Sequence, residues 1–313
     1  MAVPPRGARQ SQQLNRPRAL SNIKGSALGW FPARQASVTA HEYPAAGMVL
    51  TVDRARYTFS ASIQAIPGVM PAMAMPFAVR QLEDLDGLVP GAVVEFVLVV
   101  DGTSSRAERI RLVRYQSVEP DPLAADRLKL LTQIAGAAPG RVLAIEETVP
   151  DFRLTNQTRR PVALSDLRGK VVAINFIYTS CALPDFCLRI ANNFAVLQKR
   201  FKARLGRDLV LLTVTFDPVH DSPEVLAQYA SQWKADGATW HFLTGPVADV
   251  RRVCHLFGVD FFPDEGVMNH SLHTAIVDRQ GKLVANIEGN GFTADQLGDL
   301  TGAVLDSRNR IRR

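Results

Sequence analysis

Cysteine is scarce. The 313 residues hold three, Cys181, Cys187 and Cys254, too few for the disulfide framework of a small secreted fold. Long apolar runs are missing as well. No stretch approaches about eighteen consecutive apolar residues, so the sequence offers no transmembrane helix. Acids are absent from residues 1–40, which carry Arg6, Arg9, Arg16, Arg18, Lys24 and Arg34. Four more arginines follow Asp306, and the body between these ends holds 26 basic against 30 acidic residues. The net charge of +6 is therefore a property of two ends, and nucleic-acid binding is not expected. The first forty residues also lack any period of 2 or 3.6, and a disordered basic segment is expected there. Their longest apolar stretch, Ala27 to Phe31, is too short for the core of an export signal.

What remains is ordinary globular composition, 47% hydrophobic and 21% charged, at a length that suits about two domains. Residues 41–118 alternate. Strands are expected at Gly47–Asp53, Tyr57–Ile63, Ala74–Val79, Ala92–Val100 and around Ile110–Tyr115. Val89-Pro90-Gly91 places Pro and Gly where a type II turn wants them. Five short strands in so few residues indicate a small all-β, OB-like barrel. Within it lies Met70-Pro71-Ala72-Met73-Ala74-Met75-Pro76-Phe77. Met73 and Met75 are two apart and share a strand face. Thioether sulfur is a soft ligand suited to Cu(I), although methionine also fills irregular core gaps. This run, with the Val-Pro-Gly turn and the apolar strand after it, resembles the copper-binding domain of the CusF type. The resemblance implies a possible second metal site at Met70, Met73 and Met75. Met73 and Met75 match the family's two methionines, Met70 stands at its tryptophan, and its histidine position falls at about Ser62.

Glu119-Pro120-Asp121-Pro122 stops the last strand. Leu123, Leu128, Leu131 and Ile134 then predict a helical linker over 119–140. From 141 to 306 the pattern changes. Val171–Ile177 and Leu209–Phe216 are continuous apolar runs, as for strands buried on both faces. Between them Ile190, Phe194, Leu197, Phe201 and Leu205 predict one long helix. Ser222-Pro223-Glu224 opens a second helix, running to about Trp233. A brief strand at Trp240–Leu243 precedes a third helix around Val250–Phe257. A hairpin at Thr274–Ile287 and a last helix at Thr293–Leu305 follow, before a basic tail at 307–313. Strand, helix, strand, helix, hairpin, helix is an α/β thioredoxin-like order, with reactive groups at the end of the first buried strand.

At that end stands Thr179-Ser180-Cys181, and Cys187 follows on the same loop. A peroxidatic cysteine, a dithiol redox site and a copper site all fit at this point. Pro184 prevents regular helix across the interval. A helix start nearby is expected to lower the thiol pKa. Two thiolates suit Cu(I), and an imidazole would complete a Cu(II) site. His270, on the approach to the hairpin, is the candidate. His273 is expected at the surface or behind the site. Asp217 and Asp221 are expected to turn and cap the chain before the second helix. Cys254 falls on an apolar helix face and reads as an inert core thiol.

These pieces together resemble the Sco/SenC family. They are Tyr178-Thr179-x-Cys181, Pro184-Asp185-Phe186-Cys187, Thr215-Phe216-Asp217-Pro218 with Asp221-x-Pro223-Glu224, Trp240 to Gly245, His270-Ser271, and Val277-Asp278 with Gly281-Lys282. Ala182-Leu183 look like an insertion after the first cysteine. The resemblance implies a copper metallochaperone with Cys181, Cys187 and His270 as metal ligands. Its partner would be the cytochrome c oxidase subunit that carries the dinuclear copper centre, or another copper protein, and its place the periplasm or cell envelope. The alternative is a thiol–disulfide oxidoreductase using Cys181 and Cys187 on partner cysteines.

Overall fold

The computed structural model describes residues 40–102, 104–113, 141–181, 184–264 and 267–307, without the side chains of 262–269. The basic N-terminal segment up to Thr39, the linker helix expected over 119–140, and the tail from Arg308 lie outside these residues.

Five strands close into a ring in the order β1-β2-β3-β5-β4. They are β1 (His41–Asp53), β2 (Thr58–Ile63), β3 (Met73–Ala78), β4 (Val93–Asp101) and β5 (Ser104–Leu112). β1 starts six residues before the expected Gly47, because its first half pairs with β4 from His41↔Val100 to Met48↔Val93. Its second half turns to β2 across a bulge between Val49 and Thr51. Such a bulge bends one strand so that it can serve two neighbours. Ala78↔Arg106 joins β3 to β5 and completes the ring. Phe59, Phe77 and Phe96 fill the centre with ring centroids 4.9–5.8 Å apart. The type II turn is present. Ala92 N donates to Val89 O at 3.0 Å, and Gly91 takes a φ of 87° that a side chain would resist.

The second half builds a seven-stranded sheet, order β14-β13-β8-β9-β10-β6-β7. Its strands are β6 (Arg153–Asn156), β7 (Pro161–Ala163), β8 (Val171–Ile177), β9 (Leu209–Thr215), β10 (Trp240–Thr244), β13 (His273–Val277) and β14 (Leu283–Glu288). Every residue of β8 and β9 is buried, which is why both read as unbroken apolar runs. The helices are α1 (Arg189–Arg200), α2 (Pro223–Gln232), α3 (Val247–Leu256) and α4 (Ala294–Asp306). Ser222 caps α2, and Thr293 with Gln296 forms a capping box on α4. α1 ends at Arg200, short of the expected Leu205. The chain turns through Phe201–Gly206, where Arg204 N and Leu205 N both bond Phe201 O. Phe201 and Leu205 still pack on the core, so the apolar pattern outlasts the helix. A separate two-stranded hairpin, β11 (Phe261–Asp264) and β12 (Val267–His270), stands off the main sheet. The arrangement is thioredoxin-like, preceded by the OB-like ring. Among the described residues no helix is long and apolar enough to cross a membrane.

The ring is seated on the second sheet. Met48 and Leu50 of β1 are buried in the larger domain's core. Ser62 Oγ donates to Asp299 on α4 at 2.7 Å, Gln296 Nε2 donates to Ser62 O at 3.2 Å, and Arg200 of α1 pairs with the same Asp299. A Cβ at Gly91 would come within 2.9 Å of Ile287 and 3.1 Å of Ala285 on β14.

Candidate metal centre

β8 delivers Tyr178-Thr179-Ser180-Cys181 to the carboxyl end of the sheet, and one buried carboxylate ties this exit down. Asp221 is 1% exposed. It accepts hydrogen bonds from Thr179 N at 3.1 Å, from Thr179 Oγ1, and from Thr215 Oγ1 at the end of β9. Burial raises its pKa, against the pull of these bonds. Ser222 caps α2, as its Ser-Pro-Glu start indicates, and Asp221, expected to turn and cap the chain ahead of that helix, instead ties β8 to β9. Asp217 forms the turn as expected, taking Asp221 N at 2.9 Å on its carbonyl, and its carboxylate contacts His220 Nδ1 at 2.9 Å.

Beyond Cys181 the chain enters a wide turn, Pro184–Leu188, in which Phe186 leaves helical geometry before α1 begins. Pro184 thus excludes regular helix at the start of this interval. Asn290 Nδ2 donates to Asp185 O and pins the turn to the segment before α4. Cys181 is 5% exposed and Cys187 fully buried, their thiols in hydrogen-bond contact. This overturns the expectation of a lowered thiol pKa. The bond to the Cys181 thiol, then burial, then the neighbouring charge push the Cys187 thiol well above its usual value, and backbone N–H groups offset only part of that. Cys254 is fully buried on α3, and burial pushes its thiol up too, as befits an inert core residue.

His270 lies not on a loop but at the end of β12, where it pairs with Phe261. The hairpin escaped sequence reading because Pro263 interrupts β11 and the strands are only four residues long. β13 continues from it and runs antiparallel to β8, so His270 arrives beside Tyr178. Its ring sits 4.6 Å from that of Phe216 and 5.7 Å from that of Tyr178. Nδ1 lies 3.0 Å from Ser271 O. A carbonyl only accepts, so Nδ1 carries the proton and the lone pair of the neutral ring is on Nε2. Burial holds the His270 pKa below the ordinary histidine value. His273, expected at the surface or behind the site, is half-buried on β13 with Nδ1 3.2 Å from Asn286 Oδ1.

The structure therefore brings Cys181 and Cys187 into contact and sets His270 against the aromatic wall of the same exit. Among the described residues no three His, Cys, Asp or Glu side chains stand close enough to hold an ion together.

On the ring, Met73 and Met75 lie opposite Ile63 and Ala61, on one side of β3 with Phe77. Met75 and Met70 pack on the ring's core, whereas Met73 is 45% exposed. Ser62 sits on the other face of β2 and is committed to α4.

Comparison with known proteins separates the same two halves. The copper binding periplasmic protein CusF model matches residues 42–111, and the SCO1/SenC model matches residues 143–304. A Stutzerimonas stutzeri protein named for copper binding is 30% identical over 170 residues, 53% of this chain and 79% of that one. The SCO1 protein homolog of Bacillus subtilis is 32% identical over 97 residues, 31% of this chain and about half (49%) of that protein. A SCO1/SenC family lipoprotein of Bacillus anthracis aligns over 55% of this chain and all of its own, at 24% identity and a TM-score of 0.46. Arabidopsis thaliana ScoI, solved with copper bound, aligns over 52% of this chain and 99% of its own at 22% identity and a TM-score of 0.45. With the family model spanning more than half of the sequence and the paired cysteines and His270 inside its limits, this chain belongs to the SCO1/SenC family.

Proposed function

We propose that this chain is a copper metallochaperone of the cell envelope. Copper, its cargo, is held by the sulfurs of Cys181 and Cys187 and by Nε2 of His270. It is passed to the protein that carries the dinuclear copper centre of cytochrome c oxidase during assembly. One observation supports this reading: two buried thiols touch just beyond β8, and His270, set against Tyr178 at the same exit, keeps its proton on Nδ1 and its lone pair on Nε2. Two soft sulfurs and one imidazole match copper in both common oxidation states. Hard cations prefer oxygen donors, and the Asp221 carboxylate at the exit of β8 is occupied by Thr179 and Thr215.

Cys187 bears its proton at neutral pH, because its contact with Cys181 and burial raise its pKa. Loading therefore displaces protons, and apparent affinity rises with pH. On this reading His270 closes on the thiols when copper loads. The ring domain adds Met70, Met73 and Met75 as a proposed second soft site, seated rigidly rather than on a loose tether.

The test is anaerobic Cu(I) titration of the reduced protein against a chromophoric competitor at pH 6, 7 and 8. Tight binding that strengthens with pH, and disappears in Cys181→Ala/Cys187→Ala, supports the reading. A further loss in Met73→Leu/Met75→Leu establishes the second site. An intact protein that binds no Cu(I) tightly, but reduces a model disulfide, sinks it in favour of dithiol redox chemistry.

A further inference from the structure

The base of the hairpin that carries His270 is closed by one side chain. Ser271 Oγ donates to Gly258 O at 2.9 Å and accepts from Asp260 N at 3.0 Å. Ser271 N donates to Asp260 O at 2.9 Å. His255 of α3 steadies the far side, its Nδ1 lying 3.3 Å from Asp260 Oδ1. The peptide of Ser271 is thus fixed from both ends, and its carbonyl is the acceptor for His270 Nδ1 at 3.0 Å. The rings of Phe216 and Tyr178 confine the imidazole. The Ser271 carbonyl, facing Nδ1, sets its tautomer.

We propose that Ser271 is the positioning residue for His270. By bridging Gly258 O and Asp260 N it aims its own carbonyl, holds the imidazole proton on Nδ1, and leaves Nε2 as the nitrogen presented to the metal. This deepens the copper reading and rests on it for the last clause only; the tautomer itself is a property of the metal-free protein. Hydrogen-bonded orientation of a metal-binding histidine is worth about 10–100-fold in metal affinity where it has been removed. Without the hydroxyl, Asp260 N–H and Gly258 O turn to water, the Ser271 peptide rotates, and both tautomers become populated.

The experiment compares the full chain with Ser271→Ala and Ser271→Thr. Side-chain ¹⁵N shifts of His270 are read in the metal-free state, followed by anaerobic Cu(I) competition. The expected result is a single Nδ1–H tautomer in the parent, a mixture in Ser271→Ala, and restoration in Ser271→Thr, which keeps the hydroxyl. Cu(I) affinity should fall about 10–100-fold in Ser271→Ala and recover in Ser271→Thr. A Ser271→Ala protein that keeps the Nδ1–H tautomer overturns the proposal, as does Ser271→Thr failing to restore it. If the parent binds no Cu(I), the copper reading falls, and the ¹⁵N comparison still decides what Ser271 does to the ring.

Discussion

Asp221 shows how one side chain can hold a site it does not enter. It joins the exits of β8 and β9 by accepting from Thr179 and Thr215, and Thr179 stands two residues before Cys181. Asp221→Asn keeps the shape but turns an amide N–H₂ toward hydroxyl and backbone donors. Breaking such a buried set should cost about 1–3 kcal/mol. The pH dependence has a definite sign. Burial raises the folded pKa of Asp221, so its contribution is full below the unfolded value of about 3.9 and declines as pH rises through the folded value. The parent's advantage over Asp221→Asn in urea unfolding should therefore shrink between pH 4.5 and pH 7.5. An advantage that widened with pH would show that the bonds to Thr179 and Thr215 outweigh burial. This role was not legible in the sequence. An Asp before Ser-Pro-Glu reads as turn chemistry, and its partner Thr179 lies 42 positions away. The pairing of Cys181 with Cys187 was legible, since two cysteines flank a Pro-Asp segment in so cysteine-poor a chain. The raised pKa of Cys187 was not, because it depends on burial that local sequence does not record.

Elements with strong periodicity were read well. β8, β9 and the capped helices α2 and α4 stand where apolar runs and Ser or Thr caps placed them. The hairpin β11–β12 was missed for a physical reason: its strands are four residues long, too short to show a period, and Pro263 stands inside β11. Phe216, just past the end of β9, touches both of its strands, Phe261 at 5.6 Å and His270 at 4.6 Å. Phe216→Leu keeps the site apolar while withdrawing the ring face. Amides of β11 and β12 should then exchange with deuterium about tenfold faster, the equivalent of losing about 1.4 kcal/mol of local protection. Those of β8 and β9 should be little changed. Equal acceleration everywhere would mean that Phe216 supports the core in general and not the hairpin in particular.

At the scale of the whole molecule, two patterns in the sequence suggest two bodies, but the packing couples them. Met48 belongs to the ring by chain position and pairing, yet its side chain is fully buried in the core of the larger domain. Ser62, Gln296, Asp299 and Arg200 link β2, α4 and α1 across the same seam, and α1 is the helix that follows Cys187. No local pattern reveals this, since a strand residue facing a neighbouring domain looks like one facing its own. The consequence is testable by calorimetry. Met48→Ala removes a buried side chain from the larger domain's core and should cost about 2–5 kcal/mol. Because the seam couples the halves, the loss should appear as a lower midpoint of one shared transition. If the ring instead unfolds separately in the parent, and Met48→Ala moves only that event, the halves are independent. On the proposed function, copper held at the methionines would then pass between two separately folding bodies, whereas a single shared transition places both proposed sites in one cooperative unit.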